Sequence, residues 1–402
     1  MPFDAFDLDP RCLRVLHEAD IQTPTPIQAQ AIPVALTGRD VIGVAQTGTG
    51  KTLAFTLPSL TRLAQEKLRR NMMLVLVPTR ELAVQVEKVV EEIGKPLQIR
   101  SVAVYGGVSL ERQAGELKRG RAVVVATPGR LLDHMGRGNL SFEELSILVL
   151  DEADRMLDMG FLPDIRKILR KLPRERQTLM FSATFPDEIN RLTGEMMHNP
   201  ERVSVGAISR PVDAVRQLLY TVMPEHKSEL LLDILRSKDI KSAVVFLRTK
   251  QRTERVAQTL RKQGFKAAAI HGDRSQKQRE QALDGFRKGK YRVLVATDVA
   301  ARGLDVEGIS HVINFDIPPT ADDYIHRIGR TARAEAEGDA ITFVSPSEHL
   351  PLEAIERALA RRLPRAEWEK AVPVLSLYSP PGESKKTSSS RRRTGGRLLR
   401  RR

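Results

Sequence analysis

The chain of 402 residues has a single cysteine, Cys12, so it can form no internal disulfide, and a reducing compartment suits it. Aromatic residues are also scarce, at 4% with one tryptophan, which leaves few platforms for stacking on bases. No run reaches the ~18 apolar residues of a membrane-spanning helix, so no membrane partner is expected. The first ten residues, MPFDAFDLDP, are acidic and lack the basic-then-apolar order of a leader, so none is expected there. Acidic residues are outnumbered 50 to 65, and the net charge of +15 is uneven. Residues 379–402 hold nine Lys or Arg and one Glu, a net of +8. Such a balance points to a polyanion, either nucleic acid or an anionic surface, with solubility alone as the bland alternative.

What is present is a series of short runs that are apolar throughout. In the first half they are DVIGVA (40–45), MLVLVP (73–78), SVAVYG (101–106), AVVVATP (122–128), ILVLD (147–151) and QTLMFSAT (177–184). In the second half they are QLLYTVM (217–223), SAVVFLRT (242–249), KAAAIHG (266–272), RVLVATD (292–298), HVINFD (311–316) and DAITFVS (339–345). Strands that do not alternate are buried on both faces, and with amphipathic stretches between them they predict α/β domains with parallel sheets. The halves echo each other, as in VVVATPG (123–129) and VLVATDV (293–299). The expected division is an N-terminal domain over 1–207, a linker at 208–212, a C-terminal domain over 213–364 and a basic tail over 365–402. The tail has no apolar periodicity and is expected to be disordered.

AQTGTGKT (45–52) matches the phosphate-loop pattern, except that Ala45 stands where the pattern has Gly. Gly48 and Gly50 let backbone N–H groups turn towards phosphate oxygens. Lys51 brings charge to the β/γ phosphates, and Thr52 offers a hydroxyl to Mg²⁺. The alternative is a Gly-rich turn before a helix. The run ILVLD ends in Asp151, where this fold places the acid that holds Mg²⁺. Glu152 can orient and deprotonate an attacking water. A solvated turn would leave an apolar run into paired acids unexplained.

With DEAD at 151–154, residues 3–350 resemble the DEAD-box RNA helicases, which implies two RecA-like domains in tandem with a cleft between them. The resemblance implies ATP and Mg²⁺ as cofactors and RNA as partner. In TPTPIQ (23–28), Gln28 would read adenine, braced by Phe6, with Ile21 packing where relatives often have an aromatic. Gln46, Thr47 and Thr49 would complete the phosphate loop. Ser182 and Thr184 of SAT would couple hydrolysis to strand separation through hydroxyl contacts to the acidic motif. Arg330 and Arg333 of HRIGRTAR (326–333) would act as arginine fingers, a role worth ~10³–10⁵ in rate where measured. Their spacing of three predicts one side of a helix, and a basic solvated face is the alternative. Gly303 and Asp305 would hold the ribose.

The implied RNA track is Pro78, Thr79 and Arg80 of PTRELA, then Gly106 and Gly107, then Thr127, Pro128, Gly129 and Arg130 of TPGR. In the second half it is Arg248, Thr249, His271, Gly272, Gln276, Arg279, Thr297 and Asp298. Gly, Thr and Arg suit phosphate and sugar contacts, which carry no base sequence. None of these motifs contains an aromatic, so weak sequence preference is expected. The implied activity is ATP-dependent, non-processive RNA unwinding in the cytoplasm, with ATP and RNA tightening each other's binding. A slow ATP-gated RNA clamp and a DNA translocase stay open as alternatives. The short core and basic tail are similar to bacterial proteins of the RhlE type, which implies ribosomal or RNA-degradation partners.

Overall fold

Each of the twelve apolar runs becomes a strand in the computed structural model, which describes residues 2–45, 48–66, 71–205, 215–236, 240–301, 309–331 and 338–373. In the first half these are β1 (Val41–Val44), β2 (Met73–Leu76), β3 (Ser101–Val104), β4 (Val123–Ala126), β5 (Ile147–Asp151) and β6 (Gln177–Ser182). A further strand, β7 (Glu201–Ser204), was not legible, because only Val203 of its four residues is buried. The second half adds β8 (Val215–Thr221), β9 (Ala243–Leu247), β10 (Ala267–Ile270), β11 (Val293–Thr297), β12 (His311–Asn314) and β13 (Gly338–Val344).

The strands form two sheets, ordered β3-β4-β2-β5-β6-β1-β7 and β10-β11-β9-β12-β13-β8, and every pairing between these strands is parallel. Counted within its own half, β10-β11-β9-β12-β13-β8 repeats the order of β3 to β1. The halves therefore share one topology, as their sequence echo predicts. Successive side chains on a strand enter opposite cores. Val149 of β5 packs in one cluster, while Leu148 and Leu150 pack in the other. Among the described residues, no apolar cluster draws members from both halves.

The expected linker at 208–212 lies outside the described residues, as does 374–402 of the expected tail. The tail was expected to begin at 365, but 365–373 is tied to the second domain by bridges and hydrogen bonds. Arg365 bridges Leu219 and Ala371 bridges Val222, both along the edge of β8. Trp368 Nε1 donates to Asp233 at 3.3 Å. An apolar anchor and a free strand edge together hold a segment that has no periodicity of its own.

Candidate functional site

In parallel α/β sheets, ligand groups gather at the carboxyl ends of the strands, and the strand order here sorts them into two groups. Adjacent β5, β6 and β1 deliver the acids, Ser182 and the phosphate loop. Adjacent β3, β4 and β2 deliver Gly106–Gly107, TPGR and PTRELA. One sheet end thus carries both the residues expected at a nucleotide and those expected along RNA, in separate groups.

At the nucleotide side, Gly48 and Gly50 hold φ of +82° and +85°. A Cβ on Gly50 would meet Gln28 Nε2 at 2.3 Å, so the loop requires glycine there. Lys51 opens the helix Lys51–Ala64, is buried, and donates from Nζ to the Ala45 carbonyl at 2.9 Å. Thr52 follows on the first turn. Thr25 Oγ1 donates to the Thr49 carbonyl at 2.7 Å. Gln28 is already engaged: Oε1 accepts from Thr25 N–H at 2.8 Å and Nε2 donates to the Gly50 carbonyl at 3.0 Å. A carboxamide has two donor hydrogens and two acceptor lone pairs, so one of each remains for a base. Phe6 and Ile21 pack into the core beside this segment, with Phe6 edge-on to Phe3. Gln46 and Thr47 lie outside the described residues.

Asp151 is buried at the end of β5, and burial pushes its pKa up to about 6, against the pull of Lys51. Such a carboxyl favours a cation that would replace its proton. Glu152 stands in the left-handed region, at φ +54°, and its carboxylate accepts from Arg155 Nη1 at 2.7 Å. Both side chains are almost fully buried, at 2% and 5% exposure. Asp154 Oδ2 accepts from Ala183 N–H, Thr184 N–H and Thr184 Oγ1, at 3.1, 2.8 and 3.0 Å. Ser182 Oγ accepts from Asp154 N–H at 3.2 Å. Burial works against ionising Asp154, but Lys51 and the Thr184 N–H outweigh it and hold its carboxyl below the usual range. The expected contact between SAT and the acidic motif is therefore present, through an acid that sequence reasoning did not single out.

From the second half, Arg330 reaches a narrow crevice lined also by Arg155, His326, Arg327 and Asp298. The helix expected to carry both arginines ends at Ile328, with Gly329 as its cap. Arg330 therefore stands on the following turn and not on that helix. Arg333, Gly303 and Asp305 lie outside the described residues. Asp298, expected on the RNA side, is held by Arg327 at 2.6 and 2.7 Å, a buried guanidinium that requires a carboxylate partner. His326 was quoted in the motif but given no role. Burial, then the charges of Arg155 and Arg330, push its pKa down to about 4.

The RNA-side residues converge across the halves. A cavity of about 290 Å³ is lined by Pro78, Thr79, Arg80, Gly106, Thr127, Gly129 and Arg130 on one side, and by Gly272 and Arg279 on the other. Phe161 also lines it, so the track has an aromatic that the motifs lack. Thr79 caps the helix Arg80–Gly94. Gly107 has φ +87°, and a Cβ there would meet Arg80 at 2.1 Å. Arg130 donates to the Val108 carbonyl and to Gln113, which braces the Gly106–Gly107 loop. Pro128 opens the helix Pro128–Gly136, and Thr297 is buried at the end of β11. Arg248 and Thr249 are exposed after β9 and are not among the cavity's lining residues. Across the cleft, Arg279 Nη2 lies 2.8 Å from Glu81 Oε1, close but poorly aligned as a hydrogen bond.

The repeated topology sets two charged residues of the second half at places equivalent to Lys51 and Asp151. Lys227 opens the helix after β8 as Lys51 does after β1, and Asp316 follows β12 as Asp151 ends β5. Here, however, Lys227 is buried against Glu348 at 2.9 Å and Asp316 at 3.9 Å. Asp316 also accepts from Arg248 N–H at 2.9 Å and Arg252 at 2.8 Å. Internal ion pairs thus occupy these places in the second half.

Residues 25–192 match the DEAD/DEAH box helicase family, and residues 226–335 match the helicase conserved C-terminal domain. The chain is 44% identical to the ATP-dependent RNA helicase CshA of Listeria monocytogenes, over 92% of this chain and 71% of that protein. It is 45% identical to the DEAD-box ATP-dependent RNA helicase CshA of Geobacillus kaustophilus, over 90% and 78%. Among solved structures, S. cerevisiae Dbp5 bound to RNA and ADP BeF3 aligns with a TM-score of 0.80 at 32% identity, covering 90% of this chain and 95% of that one. Mss116p bound to ssRNA and AMP-PNP aligns at 0.81 and 28%, covering 90% and 78%. The Listeria and Geobacillus relatives carry the CshA name, so the RhlE-type reading gains no support from them. Similarity over both halves, in sequence and in fold, leads to one conclusion: the chain belongs to the DEAD-box ATP-dependent RNA helicases, enzymes that hydrolyse ATP.

Proposed function

We propose that this enzyme couples RNA-stimulated ATP hydrolysis to local, non-processive unwinding of RNA duplexes. The observation that carries it is the cavity shared by the two halves, with PTRELA, Gly106 and TPGR facing Gly272 and Arg279. A strand held there touches both domains, so its binding favours the closed cleft. Closure also sets Arg330 and His326 beside Arg155 and the acidic motif.

ATP with Mg²⁺ supplies the anhydride and the charge that holds it. The fit rests on the glycine turn, on Lys51 and Thr52 at a helix N-terminus, and on the buried Asp151 carboxyl facing Lys51. In this reading Asp151 and Thr52 hold the metal and Lys51 the phosphates. Glu152, aimed by Arg155, takes a proton from water, and Arg330 and Arg333 stabilise developing charge. Gln28 senses adenine. Asp154 passes the state of the phosphate side to Ser182 and Thr184. The basic tail adds sequence-independent RNA affinity. A cytoplasmic role in ribosome assembly or RNA turnover fits this chemistry.

The test is ATP turnover with and without RNA, wild type beside Glu152→Gln. Strong RNA stimulation that the variant abolishes is expected. Turnover indifferent to RNA, or equal stimulation by DNA, would overturn the reading.

A further inference from the structure

The C-terminal domain carries another cavity, away from the cleft. Its volume is about 330 Å³, and it lies at the amino ends of the strands, where His311 begins β12, Asp339 lies in β13 and Arg216 in β8. The groups expected at ATP and RNA gather at the carboxyl ends, and the two cleft cavities share no lining residue with this one. Much of its lining is hydrocarbon, from Leu218, Tyr220, Leu230, Ile234 and Ile341, together with Trp368, the one tryptophan of the chain. Leu218, Tyr220, Ile234 and Trp368 are only half-buried, so apolar surface stays in contact with water. Water against that surface is unfavourable, and an apolar group that covered it would be stabilised.

The charged part of the lining is three carboxylates, Asp233, Asp339 and Glu367, against one guanidinium, Arg216. Arg216 and His311 both meet Asp339, at 3.0 and 3.3 Å. Glu367 is exposed on the rim. An acidic rim on a chain of net charge +15 calls for a basic occupant with an apolar core.

Residues 379–402 contain that combination. Prolines apart, their only aliphatic side chains without charge or hydroxyl are Leu398 and Leu399, set in RLLRRR (397–402). Affinity for phosphates accounts for the arginines and has no use for paired leucines. The last described residues also lie beside the cavity: Ala371 N–H donates to the Trp368 carbonyl at 3.0 Å, and Val372 N–H to that of Thr221 at 3.1 Å. Residues 374–396 then give ample reach for a return. A tethered segment acts at ~mM effective concentration, so a weak contact suffices. We propose that Leu398 and Leu399 seat in this cavity, with the flanking arginines facing its carboxylates, so that the tail parks on its own C-terminal domain away from the cleft. RNA draws it off by competing for the arginines, a release that rests on the reading above of the tail as an RNA-binding element.

Trp368 reports on the site without a label, because no other tryptophan shares its emission. Acrylamide quenching of the full wild-type chain is compared with that of Leu398→Ser/Leu399→Ser, which keeps every arginine and alters no residue of either sheet. The wild type is expected to be protected, with its emission shifted to the blue. Two leucines left in water weaken docking on the order of 100-fold, so the variant should lose that protection. On a Glu367→Arg background the two tails should differ less, because an exposed rim charge is reversed. Equal quenching of the two tails overturns the proposal, as does a difference undiminished by Glu367→Arg. Protection that grows with protein concentration would seat the tail of a second copy and also overturn it. Saturating single-stranded RNA should remove the wild-type protection. Protection that survives bound RNA would leave the docking in place and refute the RNA-binding reading of the tail.

Discussion

The buried ion pair between Glu152 and Arg155 offers a quantitative test of how the Glu152 carboxylate is held. Both side chains are nearly excluded from solvent and meet at 2.7 Å. Arg155→Met strands a carboxylate in the interior, a change that costs ~3–5 kcal/mol when one partner of a buried pair is removed. At ~2–4 °C per kcal/mol for domains of this size, the melting temperature should fall by on the order of 10 °C. Glu152→Gln alone should also destabilise, because it leaves the Arg155 guanidinium facing an uncharged amide. The double variant removes both charges together and should be more stable than the Arg155→Met single. The assay is thermal unfolding of wild type, both singles and the double. Losses that simply add would refute the reasoning, since independent residues add and a coupled pair does not.

Three further outcomes follow from the geometry. His326, with its folded pKa lowered to about 4, contributes stability to the closed cleft that is present above its ordinary value of 6.5 and is lost as pH falls from there towards 4. Cleft closure followed by fluorescence transfer should weaken over that window, and His326→Asn should flatten the dependence. Gly107→Ala forces a left-handed backbone worth ~1–2 kcal/mol and pushes a Cβ into Arg80. RNA affinity should drop about tenfold or more in a filter-binding titration, while ATP turnover without RNA persists. Thr184→Val removes one of three donors to Asp154, about 1 kcal/mol. A gel-based unwinding assay should lose more than RNA-stimulated ATP turnover does.

Strands were legible because a parallel strand buried on both faces must be written as an unbroken apolar run, as in ILVLD. Strand β7 escaped because an edge strand with three of its four residues not buried carries no such mark. The phosphate loop and Asp151 were legible for a similar reason: the chemistry demands particular residue types at local spacing. Contacts across the cleft were not. That Arg155 meets His326, or Glu81 meets Arg279, depends on how two separately folded sheets face each other, and neither local sequence records that. The ion pair of Asp298 with Arg327 was not legible either, since the two are distant in sequence. The end of the helix before Arg330 could have been read, because Gly329 is a common terminator.

The described apolar clusters each stay within one half, and charged side chains meet across the cleft: Arg155, His326, Arg330, Glu81 and Arg279. Closing the halves therefore merges no core with another, and the hydrocarbon it covers is that of the cavity lining, such as Met159 and Phe161. Heat capacity tracks hydrocarbon exposure, so the closing step carries less heat-capacity change than the folding of either half. The facing charges make that step respond to dissolved ions, which screen them. The cell's electrolyte thus acts directly on how often this cleft is shut.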